Sequence, residues 1–497
     1  MSKYLYGAAV QGIQEFIFRT NDLQEIIGGS ELVNYVGGAL FEEFLGDKFN
    51  ESSCVQRAAG NIKYVFDKRE DCAVVVKNYP KLVQSNAPGI TFSQAVVEYD
   101  GERFAEAVEE LEGRLRIQRN KPAKSLTMGL LGIQRSRRTG LPAVKQEPTG
   151  NPEEYKYYDE ATVLKKNAGN ERSTLNRLSK AAFGAELPKY SYAFKDEDLC
   201  AYNGWFAIIH ADGNGLGKIV QEIGKDRKVF SDFSKGLDCA TQQAAQQAFI
   251  DIAGQFNFKI NGKVGIRPVI VGGDDFTVMC SAEYALPYMK SYLKHFEDET
   301  KKLLCSLQIK KFPKLTACAG IAFIHEHMPF YYGYNMAEML CEAAKKDAKN
   351  SERTPEDGIA PSCLLFHMVQ DDFVTSYDDI IRRELSPTDT ISYQYGPYYL
   401  ENQANRSTID MIMSLLYRIS QREANPVKTG LRRWQTIIAD KKVKEAKQLL
   451  DRMRKVATKD NKALIEDIMR AREDNGMSYY IINDLHELNS VVNKVTK

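Results

Sequence analysis

Two adjacent aspartates interrupt a strongly apolar stretch near the middle of the chain. Asp274 and Asp275 follow two glycines in VIVGGDDFTVMC, residues 269–280, where a core strand would carry valine or isoleucine. Burying two like charges side by side is unfavourable unless a proton, a basic group or a metal ion neutralises them. The pair therefore predicts a neutralising partner elsewhere in the sequence.

A third carboxylate, Asp212, lies at the end of a predicted buried strand in GWFAIIHADGNGLGKI. In a β-α-β-β-α-β unit this strand and the GGDD hairpin are central neighbours, so Asp212 is predicted to meet Asp274 and Asp275 at one edge of the sheet. Adjacent strand residues point to opposite faces, but Gly272 and Gly273 permit a tight turn that breaks this alternation and lets a substrate lie close to the hairpin. Three carboxylates without histidine or cysteine suit Mg²⁺ or Mn²⁺, and two such ions can activate an attacking hydroxyl and stabilise a leaving pyrophosphate.

The glycine-rich turn DGNGLG opens a predicted helix, and its backbone amides form a nest for triphosphate oxygens. We expect Gly213, Asn214, Gly215 and Gly217 to line the triphosphate. A nearby cation would help to neutralise the transition state. Lys345 is the candidate, because it borders the buried stripe of the last helix of this unit, and a plain surface lysine is the alternative.

The elements that would position these residues follow the same order twice along the chain. The first unit is predicted as a strand in KYLYGAAVQG, one long helix from IQEF to FEEFL, the short strands NIKYVFD and CAVVVKN, a strand in GITFSQAVVEY and a closing helix. In the second unit, Gly273 and Asp274 stand where the first has Gly60 and Asn61. The pattern predicts an α+β protein with two ferredoxin-like palm domains, the first of them degenerate.

The same reading divides the chain into four predicted domains. They are a degenerate first palm over 1–119, a basic connector rich in proline, glycine and asparagine over 120–203, a catalytic GGDD palm over 204–355 and an α-helical C-terminal domain over 356–497. We expect the irregular connector to have little core of its own.

Two smaller patterns leave their roles open. Arg135, Arg137 and Arg138 in RSRRTGLPAV are predicted to lie in a solvated loop, with a phosphate or RNA contact as the alternative. His325 and His327 in AFIHEHMPF have a spacing that can chelate a metal from a strand. No further cysteine or histidine is close in sequence, so a structural role at the strand end or a nucleotide contact is favoured.

Composition excludes several classes of protein. Of the 497 residues, 43% are hydrophobic and 27% charged, which is typical of a soluble globular protein, and no apolar stretch is long enough to span a membrane. The N-terminus has no signal-peptide pattern. Nine cysteines occur singly, which indicates reduced thiols in a cytoplasmic protein. A net charge of +1 argues against a chain dedicated to coating nucleic acid.

Beyond these single motifs, the sequence resembles the large polymerase/cyclase subunit of type III CRISPR effector complexes and its stand-alone relatives with a second palm domain. The resemblance rests on YLYGAAVQGIQEFIF and GGSELV near the start, TGLPAV in the connector, ADGNGLGKI, VGGDDFTVM and GIAFIHEHMPFYYGYNMAEML. It implies a protein that joins nucleoside triphosphates, usually ATP, into cyclic or short linear oligonucleotide messengers in antiviral defence. The metal set would comprise Asp212, Gly213, Asp274 and Asp275, holding two Mg²⁺ or Mn²⁺ ions.

The sequence also departs from that family. It contains no His-Asp dipeptide, so we expect no HD-type nuclease activity. The arginines beside TGLPAV stand where many relatives have zinc-binding cysteines, so we expect no zinc there. Asn214 stands where many relatives have a second aspartate of the turn, which lowers the charge of one metal site.

Two alternatives to this cyclase function remain open from sequence. A diguanylate-cyclase-like palm is disfavoured, because such enzymes pair one palm from each of two chains. The other alternative is a non-catalytic nucleotide-binding scaffold or sensor in a CRISPR-like ribonucleoprotein complex. The predicted partners are nucleoside triphosphates and a second copy of the chain or other defence-complex subunits; RNA is possible, and no membrane is expected.

Overall fold

The computed structural model describes most of the chain. The described residues are 2–58, 60–101, 103–121, 131–149, 151, 154–170, 177–185, 191–192, 198–200, 204–223, 226–255, 259–260, 263–350, 352–354, 358–370 and 376–492. Much of the predicted connector, including residues 122–130 and 171–176, lies outside them.

The first unit is built around a four-stranded antiparallel sheet. Its elements are β1 (Ser2–Gln11), α1 (Ile13–Ile17), α2 (Leu23–Val36), α3 (Ala39–Leu45), β2 (Cys54–Ala58), β3 (Asn61–Phe66), α4 (Arg69–Asn86), β4 (Thr91–Asp100) and α5 (Phe104–Arg119). The strand order is β2-β3-β1-β4. This is the order of a ferredoxin-like sheet, so the predicted fold of the first palm is confirmed.

Two details of the predicted first palm are wrong. The segment CAVVVKN lies in α4, because Cys72, Val75, Tyr79 and Val83 are buried at helical spacing and the adjacent valines do not all face the core. The strand that completes the sheet is β2 instead. The predicted long first helix is three helices, and the second of them begins where Asp22 accepts hydrogen bonds from two backbone amides of its first turn.

The connector packs on the palms. Its elements are β5 (Ala143–Pro148), β6 (Tyr155–Asp159), α6 (Glu160–Ala168), α7 (Arg177–Phe183) and β7 (Ser191–Tyr192). Helix α6 lies so close to α2 that a methyl group added at Gly28 would be 1.7 Å from the carbonyl oxygen of Lys165. Glu31 accepts hydrogen bonds of 3.0 Å from the amides of Arg177 and Leu178, and Ser30 donates to the carbonyl of Val269 in the second palm. The GGSE stretch of α2 is thus a junction between the first palm, the connector and the second palm.

The second unit repeats the first in the order of its strands. Its elements are β8 (Trp205–Asn214), α8 (Leu216–Ile223), α9 (Arg227–Gln255), β9 (Lys259–Ile260), β10 (Lys263–Val264), β11 (Ile266–Gly272), β12 (Asp275–Ser281), α10 (Ala282–Ser306), β13 (Thr316–His325), α11 (Phe330–Ala348) and β14 (Cys363–Met368). The four strands that correspond to the first palm lie in the order β11-β12-β8-β13. The predicted duplication is therefore seen in the topology of both sheets.

The two hairpin turns at equivalent places differ in their surroundings. Gly60 in the first palm is packed against another backbone, because a methyl group added at Gly37 would lie 2.5 Å from its Cα. Gly273 in the second palm has a φ of +61° and no atom within 4 Å of an added methyl group among the described residues. The turn of the first palm is filled, and the turn of the second is open.

The C-terminal region is mainly helical, as predicted. Its elements are α12 (Tyr377–Ile380), β15 (Ile391–Ser392), β16 (Tyr398–Tyr399), α13 (Ile409–Ser420), α14 (Asn425–Ala439), α15 (Val443–Val456), α16 (Lys459–Ile468), β17 (Arg472–Asp474), β18 (Met477–Tyr479) and α17 (Ile482–Val491). Strand β14 pairs in parallel with β13, and β16 extends the same sheet. The predicted boundary at 355/356 stays a prediction, and the palm sheet continues past it. No described helix has the length and apolar character that crossing a membrane requires.

Candidate active site

Strand register brings the distant carboxylates together. Asp275, the first residue of β12, lies directly opposite Asp212 of β8, and Cys318 of β13 flanks Asp212 on the other side. Directly opposed residues on antiparallel strands have Cβ atoms about 4.5–5.5 Å apart. The sheet therefore brings together Asp212 and Asp275, which are 63 positions apart in sequence, at the edge predicted from the strand order.

Asp274 reaches the same place from the turn. A methyl group added at Gly213 would lie 2.9 Å from the Cβ of Asp274, so the side chain of Asp274 lies over this glycine of β8. Only a residue without a side chain leaves that space, which explains the glycine after Asp212 in physical terms. Because Asp274 belongs to the turn and Asp275 to the strand, the two adjacent carboxylates both face Asp212.

Burial and the crowding of negative charge raise the pKa values of Asp274 and Asp275. Burial, then the negative charges of Asp275 and Asp212, raise the pKa of Asp274 from 3.8 to about 7. Burial and Asp212 also raise the pKa of Asp275 to about 6, while Lys345 opposes this rise. Asp275 is also accessible to solvent, and water around its carboxylate reduces the upward shift of its pKa. Without a bound cation, Asp274 and Asp275 therefore hold protons to higher pH than a free aspartate does.

Lys345 supplies the positive charge of the site. Its ammonium group donates a hydrogen bond to Asp212 Oδ2, and its side chain is 17% exposed. The residues Leu340, Cys341, Ala344 and Ala348 of α11 are buried, as the predicted stripe requires. The alternative of a plain surface lysine is therefore inconsistent with the structure.

Helix α9 holds the turn of the hairpin from behind. Thr241 Oγ1 donates a hydrogen bond of 2.5 Å to the carbonyl oxygen of Gly273, and the amide of Gly273 donates one of 3.1 Å to Asp238 Oδ1. Gln242 in turn donates to Asp238 Oδ2 at 2.8 Å. Sequence reasoning missed these residues. Asp238 and Thr241 are polar positions three residues apart on α9, a spacing that does not indicate what they contact.

Replacing Thr241 with valine is expected to lower the free energy of unfolding by about 1–3 kcal/mol, because the carbonyl of Gly273 loses a buried partner. Denaturant unfolding measures the change. Thr436→Val is the matched control, since that exposed hydroxyl bonds only to a carbonyl of its own helix. Equal changes in both variants would contradict a specific hold on the turn.

The predicted phosphate-lining residues do not form one surface. Gly213 and Asn214 belong to β8 and pair with Ala317 and Thr316 of β13. The Asn214 side chain is buried, and its amide donates to Thr316 Oγ1 at 3.1 Å and to Cys318 Sγ at 3.2 Å. These two residues therefore do not lie in a turn.

The turn itself starts later. Gly215 adopts a φ of +82°, and α8 begins at the next residue. Gly217 lies exposed in the first helical turn, where amide groups are available to an anion. The predicted phosphate contacts of Gly215 and Gly217 thus have a suitable position, and they stay predictions.

A cavity of about 70 Å³ adjoins the carboxylates and has walls from both palms. Gln14 and Asn34 of the first palm face His210, Gly272 and Asp275 of the second across it. We call it the interpalm cavity. Its polar lining residues from the first palm were not predicted, because nothing in the sequence of one domain indicates which residues of the other it meets.

His210 and Tyr334 form another part of the interpalm cavity. Burial lowers the pKa of His210 to about 4, so the imidazole is neutral near pH 7, and its Nδ1 lies 3.0 Å from Thr277 Oγ1. The ring of Tyr334 lies 5.7 Å from His210 and stacks at 4.4 Å on Phe18 of the first palm. Apart from Asp275, the interpalm cavity is therefore lined by uncharged groups.

The carboxylate oxygens of Asp212, Asp274 and Asp275 are ligands of the kind that a hard divalent cation prefers. Asp212 is already paired with Lys345, whereas no ion pair of Asp274 or Asp275 occurs among the described residues. Within the same residues, no group of three His, Cys, Asp or Glu side chains is arranged as it stands to hold a metal ion. Asp274 and Asp275 are therefore the residues of the predicted metal set with charge left to neutralise.

The raised pKa values predict an unusual pH dependence of stability. The folded protein retains protons on Asp274 and Asp275 that the unfolded chain releases above about pH 4, so the contribution of this pair to stability should fall as pH rises from about 4 to 7 and then level off. Mg²⁺ should restore stability, and more at the higher pH. Denaturant unfolding at several pH values measures both effects.

Asp274→Asn is the control for this dependence, because it removes the larger of the two pKa shifts in this pair and leaves the raised pKa of Asp484 in place. Its stability should depend less on pH and on Mg²⁺ than that of the unchanged protein. An identical pH slope in both proteins would assign the dependence to other groups.

The structure also places the arginine cluster beside TGLPAV and the histidine pair in AFIHEHMPF, whose roles the sequence left open. Arg137 and Arg138 lie exposed in a turn, and Arg138 also forms an ion pair with the buried Glu25, at 2.6 and 2.7 Å to its two oxygens. His325 packs edge-on against Trp205, with ring centroids 5.5 Å apart, at the end of β13 remote from Asp212. His327 is largely exposed.

Comparison with known proteins identifies the second palm. Residues 205–353 match the family model "Cas10/Cmr2, second palm domain". The second palm is similar to that domain, and the match covers 149 of the 497 residues. Among curated proteins, no sequence matches the chain.

Solved structures match the chain at low sequence identity. The structure of a Csm1-Csm4 cassette in complex with cA3 matches with a TM-score of 0.57 and 13% identity, covering 100% of this chain and 70% of that one. A cassette in complex with pppApApA gives 0.55 and 13%, covering 99% and 69%. A cassette in complex with cA4 gives 0.47 and 15%, covering 70% of this chain and 53% of that chain, so that match spans about half of the larger protein. These matches show a similarity of fold alone.

Proposed function

We propose that the chain is a metal-dependent nucleotidyltransferase that joins nucleoside triphosphates into a cyclic or short oligonucleotide messenger. The observation that carries the proposal is the register of Asp275 opposite Asp212, with Asp274 over Gly213, which places three carboxylates at one edge of a Cas10-like palm. The similar folds solved with cA3 and pppApApA make ATP the first substrate to test.

In this reaction a 3′-oxygen attacks the α-phosphorus of a second nucleotide, a phosphodiester bond forms, and pyrophosphate leaves. Two Mg²⁺ or Mn²⁺ ions, when bound by Asp212, Asp274, Asp275 and the backbone of Gly213, would supply an activated hydroxyl and neutralise the leaving group. Lys345 balances the charge of Asp212 so that the acids can converge at neutral pH.

The remaining residues position the nucleotides. The neutral His210 and the apolar walls of the interpalm cavity exclude water beside the acids. The amides around Gly215 and Gly217 provide donors for phosphate oxygens. Gln14 and Asn34 carry carboxamides, which offer both a donor and an acceptor to a nucleobase.

The test is pyrophosphate release from each labelled triphosphate with Mg²⁺ or Mn²⁺. Asp274→Ala combined with Asp275→Ala should abolish release, whereas Glu109→Ala combined with Glu110→Ala, an exposed acidic pair on α5, should leave it unchanged. Equal activity in both double variants would contradict the proposal.

A second candidate is a nucleotide-binding scaffold or sensor without turnover. It is favoured by the contact of Lys345 with Asp212, which already neutralises one of the three acids, and by the absence of a preformed three-ligand metal group among the described residues. Nucleotide binding with no pyrophosphate release, with any triphosphate and in the presence of candidate partner subunits, would support it. In that case Asp274→Ala combined with Asp275→Ala should change binding only.

A further inference from the structure

A larger cavity lies on the other side of α1 from the acids. It has a volume of about 240 Å³, and three parts of the chain form its walls. They are the segment from Phe16 to Glu25, the turn at Pro88 and Gly89, and connector residues between Arg138 and Lys165. We call it the connector cavity. Phe16 of α1 faces it, whereas Ile13 and Ile17 of the same helix line the interpalm cavity.

Three positive groups, Arg19, Arg138 and Lys165, line the connector cavity together with three acids, Glu25, Asp159 and Glu160. Lys165 is only 5% exposed, its ammonium group donates to the carbonyl of Phe16, and this group lies 4.0 Å from the centre of the Phe16 ring. Burial lowers the pKa of Lys165 to about 8; the charges of Arg19 and Arg138 also lower it, against Glu25 and Asp159. Three cations are therefore close enough to repel one another.

The buried acids of the same wall are already engaged. Glu25 binds Arg138 at 2.6 Å and accepts a hydrogen bond of 2.7 Å from Thr20. Asp159 accepts from the hydroxyl of Thr139 at 2.8 Å and from the amide and hydroxyl of Thr162 at 3.1 and 2.9 Å.

Two cations of the lining, Arg19 and Lys165, have no carboxylate partner among the described residues. Arg19 is exposed and forms no ion pair within the part of the chain that the structure describes. The ammonium of Lys165 has a carbonyl and a ring as partners, but no carboxylate within ion-pair distance among the same residues. An anion would relieve the repulsion between these groups.

The rest of the lining sets the size and polarity of a ligand. Pro88, Leu141, Pro142, Val144 and Ala161 give the connector cavity an apolar surface. An apolar cavity of about 150 Å³ in another protein binds benzene, so about 240 Å³ holds one ring with a small charged group.

We propose that the connector cavity binds a small organic anion, with one phosphate or carboxylate group on a ring-sized apolar body. The charged group lies against Lys165 and Arg19, and the ring lies against Leu141 and Pro142. Because α1 forms a wall of both cavities, such a ligand is placed to act as an effector of the interpalm cavity. The proposal uses none of the three acids and does not rest on the proposed activity.

Pyridoxal phosphate is a suitable probe, because it combines a ring, a phosphate and an aldehyde. The neutral amine of Lys165 adds to the aldehyde carbon and water leaves, which forms an imine. Borohydride then delivers a hydride to that carbon and solvent a proton to the nitrogen, so a stable secondary amine remains. Pyridoxal, which lacks the phosphate, is the matched reagent that reports on the reactivity of the amine alone.

Peptide mapping after reduction should find Lys165 labelled about tenfold faster by pyridoxal phosphate than by pyridoxal, since one charge-assisted contact contributes about 1.5–3 kcal/mol. Inorganic phosphate should slow the labelling. Arg19→Gln, a change at an exposed side chain, should reduce the preference for the phosphate form.

Equal rates with the two reagents would overturn the proposal, because they would show a reactive lysine without an anion site. Labelling confined to exposed lysines would overturn it as well. The neighbouring Lys166, which lies 3.9 Å from Glu25, is the internal comparison and should show no preference for the phosphate form.

The same comparison extends to ligands that do not react. Phenyl phosphate should raise the midpoint of thermal unfolding, and phenol should not. Benzoate distinguishes a carboxylate from a phosphate preference. If neither anion shifts the midpoint of the unchanged protein, the connector cavity is not such a site.

Discussion

Replacing Lys345 with methionine is expected to reduce pyrophosphate release about 100-fold or more, because the site loses its fixed positive charge. Methionine keeps the length and apolar stem of the side chain, so the change isolates the ammonium group. Without it, Asp212 faces two other carboxylates with no cation in contact, and the pKa of Asp275, which Lys345 now holds down, rises further. The pH profile of the residual activity should therefore shift to higher pH.

Lys346→Met is the matched control for this variant. Lys346 is the next residue of α11 and is exposed, so its replacement should leave activity within a factor of about two. Similar losses in both variants would mean that Lys345 acts only through the general charge of the helix.

Replacing Gly320 with alanine is expected to lower the free energy of unfolding by about 3 kcal/mol, the largest stability effect we predict. A methyl group added at Gly320 would lie 1.9 Å from the carbonyl oxygen of Ala337 and 2.6 Å from the amide of Cys341, both on α11. These are backbone atoms, which cannot rotate away as a side chain can. The helix that carries Lys345 would have to move off β13.

Gly113→Ala provides the comparison in denaturant unfolding. Gly113 lies inside α5 with no atom within 4 Å of an added methyl group among the described residues, so alanine should stabilise the protein by about 0.5–1 kcal/mol. If Gly320→Ala unfolds at the same denaturant concentration as the unchanged protein, the close approach of β13 and α11 is not required.

The convergence of Asp212 with the GGDD turn could be predicted from sequence because it depends on strand order alone. Once two strands are central neighbours, residues at their facing ends must meet. The place of Asp274 could be predicted in the same way, since glycines before it permit the turn.

The residues that complete the site could not be predicted in this way. Thr241 and Asp238 contact Gly273 across a helix–strand interface, and the pairing of a helix face with one turn depends on packing that periodicity does not encode. Gln14 and Asn34 reach the interpalm cavity from another domain. Contacts of this kind need the relative placement of whole units.

The sequence pattern also gave a wrong prediction where a segment fits both the strand and the helix periodicity. CAVVVKN has the β-branched residues of a strand, but its burial follows a helix, since Cys72, Val75 and Tyr79 share one face. Propensity is a weak guide in so short a segment, and tertiary packing decided the outcome. Strand β14 was missed because it lies in a region where helices dominate.

The filled turn at Gly60 bears on how the duplicated halves have diverged. Because Gly37 occupies the space beside it, changing Asn61 to aspartate would restore an acidic side chain but not the room that a cation and its water shell need. A single substitution in the first half is therefore not expected to create a second metal centre.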